Sequence, residues 1–144
     1  MPETDLATLI RSMSPRLMPG VFVFASADAV PSGIEPVMTF REDEGTTLIV
    51  ARDQATAAGL RFAFPSRMIT LEIESSLEAV GFLAAIAAEL ARAGISVNPV
   101  SAFHHDHLFV PEARAEEAMT ILRAMAGGRP QENRVSTDSV LSRP

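Results

Sequence analysis

The stretch from Arg67 to Val110 contains, in one contiguous piece, the patterns of a strand, a helix and two more strands. Met68 to Ile73 is rich in large apolar and β-branched residues, which predicts a strand. From Leu77 to Ala93 alanine, leucine, isoleucine and valine dominate, which predicts a helix that Gly94 ends. The two further predicted strands are Ile95 to Ala102 and His107 to Val110. Because these elements follow one another so closely, the stretch constrains the fold more than any other.

The remaining segments complete a β-α-β-β-α order and repeat it upstream in a reduced form. Ala113 to Ala126 has apolar residues at helical spacing, which predicts an amphipathic helix after the last strand. In the first half we predict a helix capped by Thr4 or Asp5 and reaching about Met13, strands over Val21–Ala25, Val37–Phe40, Thr46–Val50 and Leu60–Phe64, and a short helix over Arg52–Ala58. No helix of ordinary length is predicted after the first of these strands.

This element order predicts an α+β fold, in which a ferredoxin-like βαββαβ module is preceded by a degenerate second copy. Such a fold has antiparallel sheets with helices on one face. The predicted divisions are residues 1–66 for the degenerate module, 67–126 for the complete one and 127–144 for a polar tail, which is loose or adds one edge strand. The two modules either share a continuous sheet or pack side by side.

The composition excludes several classes of protein. The formal net charge of the 144 residues is -6, and the twelve basic residues are arginines that form no cluster, which argues against a nucleic-acid partner. The absence of cysteine excludes disulfides and cysteine-based metal sites. The longest apolar run, Ala79 to Leu90, contains Glu89 and is too short to cross a bilayer. The first residues lack a basic segment followed by a long apolar one, so we expect a cytoplasmic protein with no membrane partner.

The four residues from His104 to His107 are the most distinctive chemical signal in the chain. Imidazole and carboxylate groups are ligands of zinc and non-haem iron. In an extended chain, however, His105 and His107 point to one face while His104 and Asp106 point to the other. These are the only histidines, and the acidic hairpin turn at residues 41–45 is the remaining source of ligands. We therefore predict no metal and no cofactor; a turn in which Asp106 accepts backbone N–H groups, and a ligand-sensing role for His105, stay open.

The faces of the helix predicted over Leu77–Ala93 indicate an interface. The stripe of Val80, Leu83, Ala84, Ala87 and Ala91 is assigned to the sheet, which leaves Phe82 and Ala85, flanked by Ile86, on the opposite side. An exposed apolar patch at Phe82, Ala85 and Ile86 is typical of a contact with the other module or with a second chain. The alternative is that the N-terminal helix covers the patch.

The same stretch resembles a known family. The run from Ile69 to Pro111, with its blocks SSLEAVG and HHDHLFVP, is similar to the C-terminal half of small stand-alone tandem ACT-domain proteins, which are similar to the regulatory part of aspartate kinase. The segment FREDEGTTLIV matches the acidic hairpin of that group, and the resemblance covers about residues 5–126. It implies a non-catalytic fold that binds a small amino acid or a related metabolite and that forms homodimers.

The resemblance also implies a ligand site at the loop after the first strand of the second module. The corresponding residues are Ser75, Ser76, Leu77, Glu78, Ala79, Val80 and Gly81, and the asparagine usual in the second strand corresponds to Asn98. A helix N-terminus with free N–H groups suits a carboxylate, and Asn98 carries both a donor and an acceptor. The chain departs from the family pattern, because Ser75-Ser76-Leu77 stands where an acidic residue, proline and glycine are common. The two serines equally suit simple capping of the helix.

Three functions follow from these patterns. The first is a regulatory ACT-type module that senses an amino acid, with the loop residues, Asn98 and His105 as its binding groups. The second is a ligand-free dimer that docks on a partner enzyme. The third is an enzyme that uses the histidine cluster with a metal.

Overall fold

The computed structural model describes residues 5–73 and 76–127, and the edge strand predicted for the tail lies outside this part of the chain. In chain order the elements are α1 (Leu6–Ser12), β1 (Ser14–Leu17), β2 (Phe22–Ala27), β3 (Met38–Glu42), β4 (Gly45–Ala51), α2 (Arg52–Ala57), β5 (Phe62–Glu72), α3 (Phe82–Arg92), β6 (Asn98–Ser101), β7 (Asp106–Pro111), a 3-10 turn (Glu112–Arg114) and α4 (Ala115–Gly127). All strand pairs are antiparallel and belong to one sheet. The predicted α+β class is confirmed, and the continuous sheet is the arrangement that the chain adopts.

Strand β5 is the longest strand and belongs to both halves of the sheet. The sequence predicts two strands here, separated at Pro65, but the structure has one strand of 11 residues. Pro65 is accommodated because it has no partner in either neighbouring strand: β2 pairs with Phe62, Ala63 and Ser66, and β7 pairs from Ser66 onwards. Phe64 has a φ of 61° at this point, and the β2–β5 pairing shifts its register there. The predicted boundary between residues 66 and 67 therefore falls inside a continuous strand.

Each half of the sheet has the strand order of a ferredoxin-like unit. The sheet runs β3-β4-β2-β5-β7-β6, and β1 pairs with the second part of β5 beside β2. The first unit consists of β2, β3, β4 and the start of β5, while the second consists of the rest of β5 with β6, β7 and β1. The N-terminal strand β1 thus occupies the edge position that the sequence pattern assigns to the tail.

The two units differ in how much apolar surface they bury. Helices α1, α3 and α4 cover the second unit, and their core includes Ile69 and Leu71 from β5 and Leu108 and Val110 from β7. Of the described helices, the first unit has only the short α2 on this face, and Ala55 of that helix packs with Val23 and Val50. As predicted, no helix follows its first strand, because the described residues 28–37 form bends and turns. None of the helices described is long and apolar enough to cross a membrane.

Helix α3 differs from its prediction in both its start and its orientation. It begins at Phe82 rather than Leu77, because Gly81 adopts a φ of 92° that a helix cannot contain. Its buried face is Phe82, Ile86 and Leu90, while Ala84, Ala88 and Ala91 are exposed. The assignment of Phe82 and Ile86 to an exposed interface is therefore wrong: both belong to the core that α1 helps to cover, and Ala85 is half-buried.

The face of the sheet opposite α1, α3 and α4, here called the open face, carries an aromatic cluster. The ring of Phe109 contacts those of Phe22 and Phe24 edge-on, with centroids 6.0 and 5.7 Å away. The sheet is curled toward this side, since Val37 and Met38 at one end of the strand order line the same hollow as Val100 at the other end. Phe109 is consequently only 2% exposed although none of the described helices covers it.

Candidate functional site

The loop that connects β5 to α3 begins with a local turn at Ser76. The backbone N–H of Glu78 donates to Ser76 Oγ at 3.0 Å, and that of Ala79 donates to Ser76 O at 3.0 Å. The serine hydroxyl therefore stabilises a turn five residues before the helix instead of capping the helix. Leu77 and Val80 project from this turn and are 68% and 83% exposed. Ser75 lies outside the described residues.

The N-terminus of α3 presents backbone donors that have no acceptor among the described residues. Gly81 is the N-cap and has no side chain with which to accept from the first turn, and no other described side chain caps it. The first intrahelical bond runs from the N–H of Ala85 to Gly81 O, at 2.9 Å. The N–H groups of Phe82, Leu83 and Ala84 precede it and therefore lack intrahelical acceptors. This end of the helix also carries a partial positive charge, which favours an anionic group.

A cavity of about 160 Å³ lies between this helix end and the ends of β6 and β7. Its walls are Ser76, Leu77, Ala79, Gly81, Phe82, Leu83, Ala84, Ser101, Ala102 and Asp106. The structure thus brings four residues of the predicted loop, namely Ser76, Leu77, Ala79 and Gly81, to one cavity. Glu78 and Val80 are not among its walls.

Asp106 supplies a negative charge to the same cavity. It is only 8% exposed, because its backbone pairs with Leu71 on one side and Ser101 on the other. Within residues 5–73 and 76–127 its carboxylate receives no hydrogen bond. The interpretation of Asp106 as a turn residue that accepts backbone N–H groups is therefore wrong. Because the carboxylate lines the cavity and no described residue donates a hydrogen bond to it, it is available to a cationic ligand group.

Asp106 is a wall of the cavity that the family resemblance does not assign to the ligand site, although the sequence contains a signal for it. Side chains alternate between the two faces of a strand, so Asp106 shares the helix-covered face with Leu108 and Val110. An acidic residue in the buried register of a strand is unusual and often functional. The sequence pattern places Asp106 on the face opposite His105 and His107, but it does not show that helices cover that face.

The histidines lie near the cavity but do not form its walls. His105 Nδ1 is 3.4 Å from Ile73 O, and His107 Nδ1 is 3.0 Å from Thr70 Oγ1. Burial lowers the pKa of His107 below 6.5 and the nearby His105 lowers it further, while the carboxylate of Asp106 acts in the opposite direction. Among the described residues, no three metal-ligating side chains are grouped in a way that would hold a metal ion.

Asn98 also lies away from the cavity. It is the first residue of β6 and pairs with Phe109, which places its exposed side chain on the open face of the sheet. Since the cavity is on the helix-covered face, the structure does not bring Asn98 or His105 together with the loop residues.

Two proteins of known structure resemble this chain over most of its length. A protein of unknown function from Vibrio cholerae, described as a possible transport protein, is 42% identical, and the match covers 84% of this chain and 95% of that one with a TM-score of 0.77. A protein from Agrobacterium tumefaciens is 22% identical over 80% of this chain and 89% of that one, with a TM-score of 0.67. No match was found among curated proteins.

The family and the fold agree. A putative C-terminal regulatory domain of aspartate kinase from Porphyromonas gingivalis has a TM-score of 0.54 at 13% identity, over 81% of this chain and 98% of that one, which shows a shared fold. Profiles described as ACT domain match residues 1–67 and 63–124, and the two matches meet within β5. The chain therefore belongs to the ACT-domain family and carries two such domains in tandem.

Proposed function

We propose that this chain is a non-catalytic regulatory protein that binds one small amino acid in the cavity between α3 and β7. ACT domains are regulatory modules, and this much follows from the family. The observation that carries the finer proposal is the largely buried carboxylate of Asp106, to which no described residue donates a hydrogen bond and which shares a cavity with the N-terminus of α3. The wall with Asp106 favours a positively charged group, and the wall with the helix N-terminus favours a negatively charged one.

An α-amino acid carries an ammonium group and a carboxylate group on the same carbon atom, and these two charges match the two walls of the cavity. Its carboxylate suits the free N–H groups of Leu83 and Ala84, where the helix dipole is favourable. Its ammonium group suits the carboxylate of Asp106, and the hydroxyls of Ser76 and Ser101 are additional polar groups in the same walls. A cavity of about 160 Å³ leaves room for a small side chain only.

The test is calorimetric titration of the protein with the twenty amino acids, followed by the Asp106→Asn variant. We expect one or a few small amino acids to bind, and the variant to lose at least about tenfold in affinity because an ammonium loses its ionic partner. Asp43→Asn is the matched control, since Asp43 is an exposed carboxylate in the β3–β4 turn.

Two results would refute the proposal. One is the absence of binding by any amino acid. The other is equal affinity of the Asp106→Asn protein and the parent for the same ligand. Binding of the corresponding amine, which lacks the carboxylate, as tightly as the amino acid would exclude the role given to the N-terminus of α3.

A homodimeric interaction module is the second candidate, favoured by exposed apolar side chains near the cavity. Leu77 lines the cavity, and Val80 lies in the same loop. Phe103, which follows the wall residue Ala102, is 78% exposed. A second copy that covers these side chains would remove them from water. Sedimentation equilibrium of Val80→Glu is the test, with Val30→Glu as a control at another exposed valine. A dimer that weakens only in Val80→Glu supports this candidate, and a monomeric parent protein eliminates it.

A further inference from the structure

We propose a second binding site, on the open face of the sheet, for a small uncharged and mainly apolar molecule that carries one hydroxyl-like group. The site is the hollow that the curl of the sheet creates between its two ends. It lies on the opposite side of the sheet from Asp106 and shares only Ala102 with the amino-acid cavity, so it does not depend on the charged groups of that site.

The hollow has a volume of about 170 Å³ and is built from four strands and the residues that flank them. Its walls are Val37, Met38, Met68, Val100, Ala102, His107 and Phe109. Strands β3 and β6 occupy the two ends of the sheet order, so only the curl brings Met38 and Val100 to one place. A concave site with walls on several sides encloses a ligand in a way that a flat sheet face does not.

The walls determine the size and polarity of the occupant. Six of the seven side chains are apolar, and the ring of Phe109, only 2% exposed, forms part of the floor. An apolar cavity of roughly 150 Å³ in another protein binds benzene, so a hollow of this volume fits a molecule of that size. Met38 and Met68 have flexible, polarizable side chains that adapt to an aromatic ring.

His107 is the one titratable group among these walls and sets the polar part of the ligand. Its Nδ1 is engaged with Thr70 Oγ1 at 3.0 Å, which fixes the ring and leaves Nε2 as its remaining hydrogen-bonding atom. Burial favours the neutral ring. A neutral imidazole offers either a donor or an acceptor at Nε2, and a hydroxyl group satisfies both cases. A charged ligand would lose its hydration among apolar walls without an ionic partner.

Phenol is the probe that tests the site, with methyl NMR of methionine-labelled protein as the measurement. We expect saturable shifts of the Met38 and Met68 methyl signals on titration with phenol. Met119 is the internal control, because it is buried in the core under the helices, on the other side of the sheet. The absence of saturable shifts at Met38 and Met68 in the parent protein would overturn the proposal, and that result depends on no substitution.

Two variants test the role of the imidazole. His107→Leu should weaken phenol binding by about threefold to tenfold, the value of one hydrogen bond, and leave benzene binding unchanged. His104→Leu is the matched control, since His104 is exposed and not a wall residue. Equal loss for phenol and benzene in His107→Leu would refute the polar role.

Two further results distinguish this hollow from the amino-acid cavity and from a contact between copies of the chain. Asp106→Asn should bind phenol as the parent does, so this site can succeed or fail independently of the amino-acid site. If the methyl shifts of Met38 and Met68 follow protein concentration instead of phenol, the hollow is a contact between two copies of the chain and the proposal is wrong.

Discussion

At the scale of single residues, Asp106 and His107 are neighbours in the chain that serve opposite sides of the sheet. Asp106 lines the cavity under α3, whereas His107 lines the hollow of the open face. Their charges still interact through the strand, because the Asp106 carboxylate raises the pKa of His107 while burial and His105 lower it. The net direction is downward, since burial is the largest cause.

The lowered pKa of His107 predicts a loss of stability on acidification. The unfolded chain takes up a proton near the ordinary value of 6.5, and the folded protein does so only at a lower pH. Between these two values the unfolded state binds more protons, so the free energy of unfolding falls as the pH falls. The stability that the protein has with neutral His107 is present in full above pH 6.5, and it is lost progressively as the pH falls to the lower pKa of His107 in the folded protein.

Urea unfolding of His107→Gln at a series of pH values checks this prediction. The free energy of unfolding of the parent should fall relative to that of the variant as the pH drops below 6.5, because only in the parent does unfolding allow residue 107 to take up a proton. His104→Gln is the control, since that side chain is exposed. If the free energy of unfolding depends on pH in the same way for the parent and for His107→Gln, the pKa of His107 is the same in the folded and unfolded states and the prediction is wrong.

The sequence predicts the chemistry of the site only in part. The family resemblance points to the loop at Ser76–Gly81, and four of its residues line the cavity. The place of Asp106 in the site is not predicted, because the start of α3, which forms the opposite wall, is distant from it in sequence. Only the pairing of β7 with β5 brings the two together. Asn98 and His105 are assigned by position in the chain, which does not specify the face of the sheet.

At the scale of elements, α3 shows that the number of apolar residues on a helix face does not determine which face is buried. The alanine stripe predicted to face the sheet is largely exposed, while Phe82, Ile86 and Leu90 are buried. Burial stabilises in proportion to apolar area, so three large side chains outweigh a larger number of alanines. The glycine at position 81, predicted to lie inside the helix, instead terminates the loop and sets where the helix begins.

The orientation of α3 predicts the effects of two substitutions on stability. Ile86→Ala should lower the free energy of unfolding by about 2–5 kcal/mol, because it leaves a cavity in a fully buried site. Ala88→Ser, at an exposed position of the same helix, should change it by less than about 0.5 kcal/mol. Equilibrium urea unfolding of both variants is the measurement. Similar values for the two would contradict the orientation of the helix.

Strands are predicted more reliably where glycine and short apolar runs mark them than where proline is present. The β3–β4 hairpin occupies its predicted place, since the acidic turn with Gly45 joins two strands in register. Strand β5 is divided in the prediction because proline cannot donate to a ladder. The sequence does not reveal that both neighbouring strands leave that position unpaired, because this depends on where β2 ends and β7 begins.

At the scale of the whole molecule, the two ACT domains are joined through β5 and β1 rather than through a linker. Strand β5 closes the first domain and opens the second, and β1 supplies the final strand of the second domain from the N-terminus. Leu9 and Met13 from the same N-terminal segment are buried in the core of the second domain. The element order predicts two modules, but it cannot show that one of them is completed by residues from outside its own segment.

This arrangement predicts that the second domain depends on the N-terminal segment. A fragment of residues 61–127 should show no cooperative thermal transition, because the edge of β5 at Ile69–Glu72 would lose its partner and the core would lose Leu9 and Met13. Addition of a peptide of residues 5–18 should restore the transition. Circular dichroism against temperature is the measurement, and a fragment that unfolds cooperatively without the peptide would contradict the prediction.

The position of β1 also affects how the protein folds as it is synthesised. The ribosome makes α1 and β1 before the residues of β5 with which β1 pairs, and α4, against which α1 packs, is made later still. For most of translation the first segment of the chain therefore has no surface on which to bury its apolar side chains. The second domain can close only after α4 has emerged, so α1 and β1 are among the last elements to dock although they are made before the elements that they contact.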